Sequence, residues 1–559
     1  MNTPQPPIEN GKMQIADGES PVVNRRSPVA NPQSAIANPQ SQIENPRLAR
    51  SAGILGIGNI ASRLIGLARD TITSYYFGSS GALSAFVVAS NVPTMIYDLL
   101  VGGMLSAALV PVFSSYTDPE RRDELAQIAS AVLTLAACVL GLCALALLIL
   151  AEPVARLLGD FADPALQQVL VRSLRLLSPA VLLFGLSGGV TGLLYSLKRF
   201  NYTAAGGAVF NLGIVIAAPL LAQRIGVYAL PIGIVGGSLL QLAIMLPGLR
   251  DVRLRLSAAW HHPAVRRILR LYLPIALGLI VTQVQIVLDR RWASATGPES
   301  VSWMKYATTL IQLPLGLAPV AVSLAALPSL SQRAAAGDWA GFRSIFGRGL
   351  RLVLVLLIPA AAGLWALAEP VIRLLFEHGV FSAADTAKTA IALRLYLFGL
   401  LFAGVDFLLN YTFYARQDTR TPAIVGMLAV GFYLVAAVNL LPIFGFLGLV
   451  LADSVKQAGH AAIMTLLLLR SLGRLTGERI VQTLLKAAAA ALVMGLVVWR
   501  LAGWLAGWLP ANKLGEFGVV GLSAGLGCIL YLAALRLMRV DEAMGLLAAA
   551  KRLARPNHG

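Results

Sequence analysis

Gly56, Asn59, Arg63, Gly66 and Asp70 fall at alternating intervals of three and four residues within GIGNIASRLIGLARDTIT, an otherwise apolar stretch that also carries Arg69. At 3.6 residues per turn the five share one helix face, while Ile, Leu and Ala fill most of the others. The chemistry such a stripe offers is recognition rather than bond-making: a small, polar face with apolar flanks lines something wet or charged. An ionisable side chain at bilayer depth costs several kcal/mol unless it is paired or hydrated, so each one is a candidate functional group. An Arg–Asp pair that merely locks helix packing is the plainer alternative. Arg63 and Asp70 stand about 10 Å apart along a helix axis, too far for a tight pair without bending.

Comparable stripes occur in three other apolar runs. The second run has Ser84, Asn91, Asp98, Gly102 and Ser106 on one face, the seventh has Gly278, Thr282, Gln285 and Asp289, and the eighth has Ser302, Lys305, Thr309, Gln312 and Gly316. Small and hydroxyl residues also mediate ordinary packing between membrane helices, which accounts for the glycines but not for the charges. The simplest geometry is a central cavity walled by these four runs. Its candidate ligand-contacting residues are Arg63, Arg69, Asp70, Asn91, Asp98, Asp289, Lys305 and Gln312.

In the twelfth run Asp453, Lys456 and His460 are again spaced by three and four. Asp453 and Lys456 read either as a self-neutralising pair or, with Asp289, as an ion-coupling relay. Asp406 and Asn410 lie one turn apart in the tenth run, with no partner evident in the sequence. Enzyme chemistry is not indicated: there is no phosphate-cradling glycine loop, no HExxH and no nucleophile–base set. The histidines do not cluster at metal-ligand spacing beyond the adjacent pair His261–His262. Cys138, Cys143 and Cys528, all inside apolar runs, read as small packing residues. No metal and no cofactor are expected, with Na+ or H+ as the candidate coupling ion.

The elements that must hold these groups follow from composition. The 559 residues are 57% hydrophobic and only 13% charged, with a mean hydropathy of +0.72. A soluble chain of this length carries about twice that charge fraction. Repeated apolar runs of about 18 residues or more make the chain an all-α polytopic membrane protein. About fourteen helices are expected, over 51–77, 82–113, 124–150, 166–197, 203–222, 226–248, 265–293, 303–330, 345–368, 386–415, 421–441, 445–469, 480–505 and 516–538. Pro93, Pro179, Pro274 and Pro314 lie inside these runs and are expected to kink them. The net charge of +18 sits mostly in short loops and does not argue for nucleic acid. With the N-terminus inside, Lys and Arg on that side outnumber those outside by about four to one, which makes both termini cytoplasmic and the helix count even. Trp499, Trp504 and Trp508 read as an interfacial belt near the outer end of the thirteenth run.

Glu152-Pro153-Val154-Ala155-Arg156-Leu157-Leu158 returns as Glu369-Pro370-Val371-Ile372-Arg373-Leu374-Leu375. Asp70 has a counterpart in Asp289, and Tyr195 in Tyr414. Their common separation of roughly 220 residues marks a parallel duplication about an axis along the membrane normal, a transporter architecture. The expected organisation is two pseudo-symmetric six-helix lobes plus two C-terminal helices. A Pro-, Asn- and Gln-rich segment, 1–47, forms a disordered cytoplasmic tail without a cleavable signal peptide. The N-lobe of helices 1–6 covers 48–250 and the C-lobe of helices 7–12 covers 251–472. The additional helices span 473–540, and a cytoplasmic tail spans 541–559.

Ser62-Arg63-Leu64-Ile65-Gly66-Leu67-Ala68-Arg69-Asp70, followed by Phe77-Gly78, resembles the first helix of the MurJ/MviN lipid II flippase family, in the multidrug/oligosaccharidyl-lipid/polysaccharide exporter superfamily. Val110-Pro111-Val112-Phe113 and Gln417-Asp418-Thr419-Arg420-Thr421-Pro422 fit the same family, and the likeness covers about residues 48–540. The resemblance implies a multi-pass transporter of the bacterial cytoplasmic membrane, not an enzyme. It would move an undecaprenyl-pyrophosphate-linked peptidoglycan precursor from the inner to the outer leaflet by alternating access. It also implies that Arg63 and Arg69 face the pyrophosphate, whose oxygens suit two-point hydrogen bonding by guanidinium. Its partners would be the lipid-linked precursor, membrane lipids and cell-wall synthesis proteins, without nucleic acid, and a monomer is expected.

The chain departs from the family pattern at several charges. Ser84 stands in place of an acid, and Tyr97 and Asp98 occupy a region that is usually basic. Ala307-Thr308-Thr309 replaces Ala-Asp-Arg, and Gln312 replaces an acid. Lys305, one turn from Thr309 on the same face, is expected to restore a cation, and Asp289 is the retained group of the family's sodium site. Three alternative readings remain. One is a flippase for another polyprenyl-linked oligosaccharide, one is a drug/cation antiporter of the same superfamily, and one is a non-transporting scaffold of a wall-synthesis complex.

Overall fold

The structure is a computed structural model that describes residues 46–99, 108–473, 477, 479–542 and 545. Most of the 1–47 and 541–559 tails, and Gly102 and Ser106 of the second stripe, lie outside the described residues. The chain separates into Met1–Gly53 and Ile54–Gly559. Among the described residues the first unit contributes the opening turns of one helix, and everything below concerns the second.

Among the described residues every long regular element is an α-helix. The first half has α1 (Pro46–Phe77), α2 (Gly81–Tyr97), α3 (Val110–Ser114), α4 (Arg122–Ile149), α5 (Ala151–Leu158), α6 (Pro164–Ser196), α7 (Phe200–Ala204), α8 (Gly206–Ile225) and α9 (Ala229–Met245). The second has α10 (Pro263–Thr296), α11 (Ser300–Ala335), α12 (Trp339–Ala366), α13 (Ala368–Phe376), α14 (Ala383–Ala415), α15 (Arg420–Phe444) and α16 (Phe446–Leu472). Helices α17 (Ile480–Trp508) and α18 (Lys513–Leu537) follow.

Local chemistry sets several helix starts. Asp163 and Asp338 accept from the backbone N–H groups of Ala165 and Gly341, both at 2.8 Å. Ser382 and Asp385 form a reciprocal capping box at α14, satisfying donors that have no partner in the first turn. Pro93, Pro179 and Pro314 sit inside α2, α6 and α11. The repeated Glu-Pro motif forms the same device twice, a short amphipathic helix (α5, α13) that follows a long one.

Thirteen of the fourteen expected runs coincide with a helix, and 82–113 holds α2 and α3 with 100–107 outside the described residues, but length and composition alone do not establish fourteen spans. Among the described residues nine helical runs are long and apolar enough to cross a bilayer, with α7 to α9 counted as one continuous run, Phe200–Leu249. At 17 residues α2 is too short. In α16 Asp453, Lys456, Gln457 and His460 dilute the apolar run. One expectation fails: all three cysteines are exposed on the bundle exterior. A span in lipid buries only one side against its neighbours, so an apolar position need not be an interior one.

The apolar cores show how the halves meet. The far face is the one where α1 ends and α2 begins, and the near face is the one where α11 ends and α12 begins. At the far face one continuous cluster runs from Phe77, Leu83 and Leu174 of the first half to Val301, Phe376 and Leu449 of the second. At the near face each half has its own cluster, one around Phe113, Ile128 and Leu249, the other around Phe342, Leu409 and Met464. Helix α10 bridges the halves, with Val265 and Ile268 in the first half's near-face core and Asp289 bonded to Tyr433 of α15. A further cluster joins α12, α17 and α18 around Met494 and Tyr531.

Helices α8 and α9 touch at glycines. A Cβ on Gly213 would collide with the backbone of Gly233 and Gly237, whereas one on Gly236 would meet nothing within 4 Å. Gly213→Val is therefore expected to cost about 3 kcal/mol through overpacking, read as a lower unfolding temperature of the purified protein. Gly236→Ala is expected to leave that temperature unchanged or raise it.

Candidate functional site

Between the halves lies a chamber of about 590 Å³. Its walls come from α1, α2, α8, α9, α10 and α11, so the four expected helices are joined by Phe210, Asn211, Ile214 and Ile234 of α8 and α9. The lining carries four cations, Arg63, Arg69, Arg290 and Lys305, against a single carboxylate, Asp70. A low-dielectric wall around that excess of positive charge concentrates anions.

Asp70 is the hub. Its side chain is 1% exposed and its two oxygens are fully engaged. Oδ1 accepts from Arg69 Nε at 3.0 Å and from Lys305 Nζ at 2.8 Å, and Oδ2 accepts from Thr309 Oγ1 at 3.0 Å. A charge this deep persists only with such partners. Arg69 uses its remaining reach on Asn211 of α8, donating from Nη1 to Oδ1 at 2.9 Å. The Asn211 amide in turn donates to the backbone carbonyls of Gly207 and Ser62, so its orientation is fixed. Arg63 crosses the chamber and donates from Nη1 to the Gln312 carbonyl at 2.9 Å. It lies over Gly316, where a Cβ would displace the guanidinium.

Of the sequence candidates, Arg63, Arg69, Asp70, Asn91, Lys305 and Gln312 line this chamber. Asp98 does not line it: it caps α2 with its backbone, where the chain passes into a π-helical turn. Asp289 does not line it either, because it accepts from Tyr433 Oη at 2.5 Å. Asp289 of α10 turns to Tyr433 of α15, and among the described residues Arg290 is the one member of α10 that lines the chamber. In the sequence Arg290 reads as a loop charge because it lies near the end of its run. Asn211 carries no sequence signal, being a lone amide in an apolar stretch.

Two polar clusters lie away from the chamber. Lys456 Nζ pairs with Asp453 Oδ1 at 2.6 Å and lies 5.9 Å from the Tyr433 ring, which puts it beside the Asp289 group. Asp406 and Asn410 find their partner in His460, whose Nδ1 is 2.5 Å from Asp406 Oδ1, while Asn410 Nδ2 donates to Oδ2 at 2.8 Å.

The far face is sealed by bonds between the halves. Tyr306 Oη donates to the Gly78 carbonyl at 2.9 Å, and the hydroxyls of Ser84 and Ser302 are 2.9 Å apart. Trp303 Nε1 is 3.0 Å from both Ser79 Oγ and Asp385 Oδ1, and the Val380 N–H donates to the Tyr75 carbonyl at 3.0 Å. Among the described residues no comparable bond ties α11–α16 to the first half at the near face. An apolar groove of about 430 Å³ runs along α12, α17 and α18, past Leu356, Pro359, Leu364, Val498 and Leu532.

A family model described as lipid II flippase MurJ matches residues 73–514. The lipid II flippase MurJ of Burkholderia cenocepacia is 28% identical over 493 residues, which cover 86% of this chain and 95% of the relative. A probable lipid II flippase MurJ of Vibrio cholerae is 29% identical over 517 residues, covering 88% and 97%. Among solved structures, a lipid II flippase MurJ in an inward closed conformation is similar at a TM-score of 0.74 and 23% identity, over 87% of this chain and 98% of that one. An inward-facing multidrug resistance MATE family transporter is similar at a TM-score of 0.65 and 14% identity, over 74% and 95%. These structural likenesses establish the fold.

Asp70 ties α1 to α11, so its removal should leave Lys305 unpaired. Asp70→Asn is expected to cost about 4 kcal/mol of stability, and Asp70→Asn with Lys305→Met should recover most of that loss. Unfolding of the purified variants measures both, and simple additivity of the two losses would show that the side chains are not coupled.

Proposed function

The chain belongs to the lipid II flippase MurJ family, and from that premise we propose that it moves the undecaprenyl-pyrophosphate-linked peptidoglycan precursor across the bacterial cytoplasmic membrane, from the inner to the outer leaflet. The observation that carries this reading is the chamber: four cations around one carboxylate, walled off at the far face. A diphosphate is the head-group element that such a lining suits, by charge and by hydrogen-bond geometry.

Sidedness follows from the excess of Lys and Arg at the near face, about four to one, which makes that face and both termini cytoplasmic. The far-face bonds then close the chamber to the outside, and the diphosphate loads from the cytoplasm. Once inside it competes with Asp70 for Arg69 and Lys305, the contacts that hold α1 against α11. An anion that replaces Asp70 weakens the tie between the halves and so favours their rocking to the other side, since a ligand shifts an equilibrium only through contacts that differ between the two states. The prenyl tail stays in lipid and follows the apolar groove of α12, α17 and α18.

A flippase for a different polyprenyl-linked oligosaccharide is the second reading. The substituted positions favour it: Ser84, bonded to Ser302 at the far face, stands in place of an acid, and Thr309, bonded to Asp70 in the chamber, in place of a base. A cationic drug as cargo is disfavoured by the positive lining. A scaffold without transport would tolerate loss of the chamber charges.

The test is leaflet accessibility of lipid II in cells depleted of their own flippase and expressing this chain. Outward-facing lipid II is expected to rise with the native chain and to stay low with Arg63→Ala. No rise with the native chain would transfer the reading to another glycan. Rescue by Lys305→Ala equal to that of the native chain would remove Lys305 from the anion-binding set.

A further inference from the structure

The cations of the chamber are not equally available. Arg69 spends Nε and Nη2 on Asp70 and Nη1 on Asn211, Lys305 spends its ammonium on Asp70, and Arg63 donates to the Gln312 carbonyl. Arg290 differs. Its nearest acid, the adjacent Asp289, has turned to Tyr433, and Asp289 Oδ2 remains 3.7 Å from Arg290 Nη1, beyond hydrogen-bond reach. Arg290 Nε and Nη1 are both buried with no acceptor, although the side chain lines the chamber. On α2, the Asn91 Nδ2 amide is likewise buried, unpartnered and part of the same lining.

Buried donors almost always find an acceptor within the fold, and a guanidinium carries five N–H groups and no alternative to donating. Two side chains that leave donors unspent in one anion-attracting void therefore describe an acceptor supplied from outside. We propose that Arg290, assisted by the Asn91 amide, is the docking point at which the diphosphate first binds, before Arg69 and Lys305 are freed from Asp70. The inference rests on the reading of the chamber as a diphosphate site. Phosphoryl oxygens accept from Arg290 Nε and Nη1 and from Asn91 Nδ2 without breaking any bond already formed. Engagement of the Asp70 partners comes second, because it requires a carboxylate to be displaced. With Thr309 standing where the family pattern has Arg, and Lys305 of α11 bound to Asp70, the cation with unspent donors comes from α10.

The experiment is binding of inorganic pyrophosphate to the purified full-length chain in detergent, by calorimetry, with unfolding temperatures recorded for every variant. Arg290→Gln is expected to weaken binding about tenfold or more and Asn91→Leu about fivefold, with Arg290→Lys intermediate between Arg290→Gln and the native chain, as charged and neutral donors respectively predict. Asn91→Leu keeps the proposal testable if Arg290→Gln does not fold. Affinities within twofold of the native chain for the folded Arg290 and Asn91 variants, with Arg69→Gln abolishing binding, would overturn it. The outcome is separable from the cellular test. If the native chain and the Arg290→Gln variant restore outward-facing lipid II equally and bind pyrophosphate equally, the proposed function stands and this inference is lost. A chain that binds pyrophosphate through Arg290 but restores no lipid II keeps the docking point and loses lipid II as its cargo.

Discussion

A single buried carboxylate organises the centre of this protein. Asp70 is buried, so it collects donors from three residues, the preceding one of its own helix and two of α11. That requirement fixes the distance between α1 and α11 and holds two cations side by side without repulsion. It also turns Arg69 toward α8, where Asn211 completes its hydrogen bonding. The chamber is thus an assembly of charges already balanced against one another, and what a ligand gains there depends on which of those balances it must disturb.

The helical architecture is open to inspection from the residues because apolar periodicity and the duplicated Glu-Pro motif are local signals. The stripe through Arg63 and Asp70 is legible for the same reason: both residues need a wet or charged surface, and one helix face supplies it. Which polar stripe meets which void is not a local property. The stripe of α10 is spaced like that of α1, yet its Asp289 turns to α15, where Tyr433 takes it up. Arg290, one residue on, points about 100° away around the helix and so enters the chamber that Asp289 leaves. Asn211 is a single amide whose role exists only through Arg69, a residue far off in the chain. Partnerships of that kind depend on helix rotation and crossing, which pattern alone does not encode.

Burial is divided unevenly between the two faces. One shared apolar cluster joins the halves at the far face, whereas at the near face each half keeps its own. Close packing makes such cores bistable rather than elastic, so their boundary is the place where a change of state is accommodated most readily. The polar far-face bonds, from Tyr306 to Gly78 and from Trp303 to Ser79 and Asp385, are few and directional. They can be exchanged for water at modest net cost.

One of those bonds has a special address. Ser84 and Ser302 lie 218 residues apart, close to the spacing of the repeated Glu-Pro motif, and each faces the other. A contact between equivalent points of two related bodies lies where their symmetry axis passes. Twisting the copies about that line leaves the serines together, as turning a pair of scissors about its rivet leaves the rivet in place. Only a tilt that spreads the blades parts them, so this hydroxyl pair resists a splay and leaves a twist free.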